Sequence, residues 1–118
     1  MPSQEQIQRW MDGYRTAWES NDPEDIGRLF AEQGVYYTEP YAEPWRGRQS
    51  IVENWIRIRD EPGDTEFTWK TLATDGDLAI VQGDTLYRDP QRRYSNLWVI
   101  RLDPDGRATE FTEWWMKH

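Results

Sequence analysis

From Thr65 to the C-terminus the chain is cut by three turn signals. Asp75-Gly76-Asp77, Asp89-Pro90-Gln91-Arg92 and Asp103-Pro104-Asp105-Gly106 separate four runs rich in β-branched and aromatic residues, TEFTWKTLAT, LAIVQGDTLYR, RYSNLWVIRL and RATEFTEWWMK. Turns this short join neighbouring strands, so the four runs predict a meander of antiparallel strands. Such strands twist and the sheet curls. Its concave face must be covered, and whatever covers it encloses a space.

The first half of the chain supplies the cover. Ile7, Trp10, Met11, Tyr14, Ala17 and Trp18 recur at helical spacing and form one apolar stripe. Asp22 then suits an N-cap and Pro23 a first helical position, with Asp25 in the first turn. This opens a short second helix whose buried face is Ile26, Leu29 and Phe30, with Gly34 at its end. Val35 to Glu39 reads as a short strand. Gly47 breaks the following loop, and RQSIVENWIRIRD predicts a third helix with Ile51, Val52, Trp55, Ile56 and Ile58 on its apolar side. Helices followed by a meander give an α+β fold, a curved antiparallel sheet packed on three N-terminal helices, within one domain spanning 1–118.

Composition decides what fills that fold. Only 36% of residues are apolar and the mean hydropathy is −1.02, yet there are eight Trp, six Tyr and three Phe. The core is therefore expected to be built from rings. A net charge of −8, with no basic stripe, argues against a nucleic-acid partner. The absence of cysteine excludes disulfides and thiolate chemistry. No apolar run approaches membrane-spanning length, and the N-terminal MPSQEQIQRW lacks the apolar segment of a signal peptide, so a cytoplasmic protein with no membrane partner is the expectation. The single histidine is His118, at the terminus, so no histidine-based triad is available. Asp64, Asp75, Asp77, Asp103 and Asp105 read as turn formers, with no calcium or zinc spacing and no glycine-rich phosphate loop, so neither metal nor cofactor is expected.

Three stretches, YRTAWESNDPEDIGRLFAEQGVYYTEP, WRGRQSIVENW and NLWVIRLDPDGRATEFTEWW, occur in an order and at a spacing that resemble the nuclear transport factor 2-like superfamily. Within it the chain is most similar to the SnoaL-like polyketide cyclase and ketosteroid isomerase branch, over nearly its whole length. The resemblance implies an open cone with a ligand cavity between sheet and helices, and a homodimer formed through the outer sheet face. It implies no single activity, because one fold hosts many chemistries. The expected partner is a hydrophobic cyclic small molecule, handled by a cofactor-independent acid/base enzyme or by a non-catalytic binder of the same shape.

Three residues are candidates for chemistry. Glu39 resembles the general-base Asp of ketosteroid isomerases, one methylene longer, among Tyr37, Tyr41 and Trp45; the alternative is a loop carboxylate paired with Arg46 or Arg48. Tyr14 matches the family's oxyanion-binding Tyr; the alternative is a core phenol. The resemblance places Phe111, Glu113 and Trp115 inward on the last strand and Thr112, Trp114 and Met116 outward. Glu113 thus matches the last-strand acid of cyclases and epoxide hydrolases, with Gln82 and Asp84 at the places of the latter's Arg and Asp; the alternative is a structural acid bonded to Tyr94, Asn96 or Arg93. Burial would make Glu113 the better acid and leave Glu39, at the cavity mouth, the better base. Trp98 stands where ketosteroid isomerases have a second oxyanion donor. Tyr94, Asn96 and Trp98 alternate on one strand face, so either they orient a ligand or they bond across to Glu113. Trp18 and Trp55 complete the expected ligand-binding set, with Tyr37, Tyr41, Trp45, Asp84, Phe111 and Trp115.

Overall fold

A computed structural model describes residues 3–59, 65–88 and 91–118. The first helix, α1 (Gln4–Ser20), begins with a capping box in which Ser3 accepts from the Gln6 amide while the Gln6 side chain accepts from the Ser3 amide. It ends where Asn21 turns left-handed. Helix α2 (Pro23–Gly27) is capped by Asp22, which accepts from the Glu24 amide. An N-cap of this kind contributes about 1 kcal/mol. Helix α2 is shorter than its apolar residues suggest. Leu29 and Phe30 are buried, but Phe30 already opens strand β1 (Phe30–Tyr37), and Gly34 lies inside that strand instead of ending a helix.

Strand β2 (Trp45–Arg46) pairs antiparallel with β1, a short strand that its length hides in the sequence. Gly47 follows with φ +87°, a left-handed value that glycine adopts at little cost. Helix α3 (Arg48–Arg57) starts there. Arg48 is no free surface residue, since its Nε donates to the Phe30 carbonyl at 3.0 Å and ties α3 to β1. The helix stops before Ile58, which is exposed and not part of the apolar helical face.

Strands β3 (Thr65–Asp75), β4 (Leu78–Arg88), β5 (Gln91–Leu102) and β6 (Ala108–Lys117) form the expected antiparallel meander. Of the expected turn at 89–92, Gln91 and Arg92 belong to β5, while positions 89 and 90 lie outside the described residues. The sheet order is β2-β1-β6-β5-β4-β3. It is not wholly antiparallel: β1 joins β6 in parallel, because the chain returns through α3 and three more strands before β6 is laid down. Register shifts interrupt the ladders at Phe30/Val35, Thr71/Ala73 and Arg101/Leu102. Extra residues of this kind bend the strand that carries them and help the sheet curl.

The concave face is closed by rings. Trp10 and Tyr14 of α1 stack on Phe111 of β6, Tyr14 also meets Trp98 of β5 at 4.5 Å, and Phe67 of β3 stacks on Trp98 at 5.0 Å. Each such ring, fully buried, stabilises the fold by about 2–3 kcal/mol. No helix among the described residues is long and apolar enough to cross a membrane.

Candidate functional site

Ring packing does not fill the cone to its open end. Along the inner face of β5, Leu102, Ile100, Trp98 and Asn96 are buried, while Tyr94 and Arg92 are only half-buried. Beyond Trp98 lies a cavity of about 300 Å³. Its walls come from every layer of the fold: Tyr14 and Trp18 of α1, Tyr36 of β1, Trp45 of β2, and Trp55 of α3 with Ile58 and Arg59 just after it. Thr85 and Tyr87 of β4, Tyr94, Asn96 and Trp98 of β5, and Glu113 and Trp115 of β6 complete them.

Strand alternation brings the polar groups together. In the β5–β6 ladder Trp98 lies opposite Glu113 and Asn96 opposite Trp115. The Trp98 indole Nε1 donates to Glu113 Oε2 at 2.7 Å, and Asn96 Nδ2 donates to the same oxygen at 2.8 Å. Asn96 is itself fixed from behind, because Thr85 Oγ1 donates to its Oδ1 at 2.8 Å. The amide must then present its NH₂ to Glu113. Two N–H donors on one carboxylate oxygen favour the ionised group.

On the opposite wall the Tyr14 and Tyr36 hydroxyls lie 3.1 Å apart, and either can donate to the other. Burial, the neighbouring Tyr36 and the nearby Glu113 carboxylate push the Tyr14 phenol well above its ordinary value. Tyr14 is thus a protonated hydrogen-bond donor throughout the neutral range. Trp55 is oriented by its indole, which donates to Asn21 Oδ1 at 3.2 Å.

Of the residues singled out in the sequence, Tyr14, Trp18, Trp45, Trp55, Tyr94, Asn96, Trp98, Glu113 and Trp115 converge on this cavity. Phe111 lies below it, fully buried in the ring core. The structure does not bring Glu39, Tyr37 or Tyr41 to the wall. Strand β1 ends at Tyr37, and its buried member of the pair is Tyr36. Glu39 lies past the strand end, and its carboxylate engages Tyr41, which is 86% exposed; that hydrogen bond raises the Tyr41 phenol. Neither Arg46 nor Arg48 forms an ion pair with Glu39 among the described residues.

Asp84 also lies elsewhere. The buried, inward residues of β4 are Ala79, Val81, Gly83 and Thr85, so Gln82 and Asp84 have the outward phase. Asp84 pairs there with Arg93, whose Nη2 is 2.6 Å away, and the guanidinium lowers the Asp84 carboxyl below its ordinary value. His118 is on the same outer face, with Nε2 2.8 Å from Ser95 Oγ. Among the described residues no three acidic or histidine side chains converge to hold a metal ion.

Sequence reasoning passed over Tyr36, Ile58, Arg59, Thr85 and Tyr87. Tyr36 was hidden because Phe30, which shares its parity on β1, reads as part of the second helix. Thr85 carried no signal of its own, because both phases of LAIVQGDTLYR are partly apolar.

A family model described as a SnoaL-like domain matches residues 7–111. No curated protein sequence matches the chain. Solved structures with the same fold include an NTF-2-like protein of unknown function from Burkholderia xenovorans LB400, at 14% identity and TM-score 0.75, covering 97% of this chain and 85% of that one. A steroid delta-isomerase from Pseudomonas aeruginosa aligns at 17% identity and TM-score 0.67, over 98% of this chain and 83% of its own. An LEH-like epoxide hydrolase from M. tuberculosis aligns at 17% identity and TM-score 0.66, over 98% and 86%.

Proposed function

The chain belongs to the SnoaL-like domain family, and from that footing we propose that its cavity binds a small hydrophobic carbonyl compound and moves a proton on it without a cofactor. The observation that carries this reading is the Glu113 carboxylate, held by Asn96 and Trp98 in a wall otherwise made mostly of rings. Such a carboxylate is a base with fixed direction. It takes a proton from the carbon next to a carbonyl; the C–H electron pair becomes the carbon–carbon double bond of the enolate, and the carbonyl π pair moves onto the oxygen. Tyr14, backed by Tyr36, donates to that oxygen as its charge develops. With an unsaturated ketone, returning the proton from Glu113 to the far carbon of the dienolate gives an isomerisation; intramolecular attack of the enolate carbon on a second carbonyl, with the new alkoxide taking the proton from Glu113, gives a cyclisation.

Glu113 is the one carboxylate among the described cavity-lining residues. A single acid suits a shuttle in which one group both takes and returns the proton. It does not suit epoxide opening by an acid–Arg–acid set, since Asp84 and Arg93 lie on the outer face and Gly83 and Thr85 have the inward phase of β4. At about 300 Å³ the cavity is at the small end of the range for ligand sites, which favours a compact one- or two-ring substrate. Incubating enolisable aromatic and terpenoid ketones in deuterium oxide tests the reading. Deuterium should enter next to the carbonyl with the native protein and not with Glu113→Gln. Saturable binding of such ketones without exchange would instead make the protein a binder.

The second element of the proposal is a homodimer through the convex face. Trp114 is 51% exposed there, opposite Leu97, and Met116 is 71% exposed. Together with half-buried Val99 these form an apolar patch that a second copy would cover.

A further inference from the structure

The cavity has a charge gradient along its length. Its deep wall holds Glu113. Its open end holds Arg59, which lines the wall beside exposed Ile58. Arg92 is the next residue outward from Tyr94 on the same inner face of β5; it lies past the lining residues and adjoins the cavity through Tyr87 and Tyr94. Its guanidinium lies over the Tyr87 ring, 4.5 Å from the centroid, and its Nη1 is 3.5 Å from the Tyr94 hydroxyl. Tyr87 and Tyr94 both line the cavity. The Arg92 Nε is buried and has no hydrogen-bond partner among the described residues. In a chain with 22 acidic and 14 basic side chains, neither Arg59 nor Arg92 forms an ion pair among those residues.

A buried guanidinium N–H without an acceptor is costly unless something supplies one. The ring beneath Arg92 fixes its plane, which is the preorganisation that recognition of a planar anion uses. We infer that the open end of the cavity is a carboxylate-binding subsite formed by Arg92 and Arg59, so that the ligand is an amphipathic organic acid. This rests on the reading of the cavity as a ligand site and narrows its substrate class. The acid group stays at the mouth and the apolar ring enters between Tyr94 and Trp55 toward Glu113. Four residues of extended strand separate Arg92 from Asn96, a span of about 13 Å. A bicyclic ring with a one- or two-carbon acid side chain reaches across it. The same gradient sets the orientation, because a ligand carboxylate at the deep end would face Glu113.

Matched pairs of probes test this: 2-naphthylacetate with 2-naphthylacetamide, and 4-phenylbutyrate with its amide, each titrated against intrinsic tryptophan emission. Each acid should bind roughly tenfold to a hundredfold more tightly than its amide, the gain expected of a charge-assisted hydrogen bond. Raising salt should weaken the acid only. Arg92→Gln should bring the acid to the affinity of the amide and leave the amide unchanged, with Arg59→Gln acting in the same direction. Acids binding no better than amides, or Arg92→Gln weakening both equally, would overturn the subsite while leaving the cavity reading in place. Absence of saturable binding by all four compounds would count against both.

Discussion

Replacing Glu113 in two ways separates what its shape does from what its charge does. Glu113→Gln keeps an oxygen acceptor where Oε2 receives Trp98 Nε1 and Asn96 Nδ2. Glu113→Leu keeps the volume and removes the acceptor. Trp98 is 2% exposed and Asn96 8%, so water reaches their donors poorly. Each orphaned buried donor costs about 1–3 kcal/mol, giving roughly 2–6 kcal/mol for the leucine variant. The glutamine variant loses the charge assistance of two hydrogen bonds but also the cost of burying a charge, which leaves a small net change. The two variants should therefore differ by at least about 2 kcal/mol, or roughly 8 °C in melting midpoint for a domain of this size. Thermal and urea unfolding followed by circular dichroism measure this, with deuterium exchange on ketones read in parallel. Glutamine should abolish exchange at near-native stability; leucine should abolish exchange and melt at the lower temperature. Equal stability of the two variants would refute the reasoning, since it would mean that these donors do not depend on residue 113.

Three further predictions concern the frame around the site. The folded Tyr14 phenol titrates above its unfolded value, so the stability it contributes is complete below about pH 10 and is lost as pH rises beyond that. Tyr14→Phe should reduce the alkaline slope of stability by up to about 1.4 kcal/mol per pH unit, one proton's worth, in urea midpoints taken between pH 9 and 11.5; an unchanged slope would contradict it. A Cβ on Gly83 would lie 2.6 Å from Phe67 Cε1 and 2.8 Å from its Cζ, on a ring already stacked against Trp98. Gly83→Ala should therefore destabilise by about 1–3 kcal/mol in chemical denaturation. Trp114→Glu should convert a dimer to monomer in analytical sedimentation, and a dimer that survives it would place the interface elsewhere.

Much of the fold was legible because its punctuation is local. The Asp75-Gly76-Asp77 and Asp103-Pro104-Asp105-Gly106 turns, the Asp22-Pro23 helix start and the stripe from Ile7 to Trp18 each act over a few residues, and each is found in the structure. What was hidden depends on partners distant in sequence. Strand β2 exists only because β1 lies beside it, and the parallel pairing of β1 with β6 joins segments at opposite ends of the chain. The candidate site divides in the same way. Asn96 and Trp98 follow from alternation along β5, whose inward phase is marked by rings, while on β6 Trp114 and Trp115 have opposite phases and the family resemblance placed Glu113 inward. Phase was lost on β1, where Phe30 reads equally well as helix, so that Tyr37 stood in for Tyr36. It was lost again on β4, where Leu78 and Ile80 compete with Ala79 and Val81 for the inner face and Asp84 stood in for Thr85. Small inward residues on β4 leave room for the Phe67 ring, a requirement that appears only once β3 is laid beside it.

The central claim, a ligand bound in the cone with Glu113 in its wall, can be read from the eight tryptophan indoles. Trp18, Trp45, Trp55, Trp98 and Trp115 line the cavity, while Trp10, Trp69 and Trp114 do not. In a nitrogen-15 correlation spectrum assigned by single Trp→Phe replacements, small aromatic and terpenoid ketones should shift the five cavity indoles saturably. Trp98, whose N–H is committed to Glu113, should also move when Glu113→Gln is introduced without ligand. The signals of Trp10, Trp69 and Trp114 should stay in place. Saturable shifts at Trp69 or Trp114 with the five unmoved, or no saturable shift for any compound, would contradict the account.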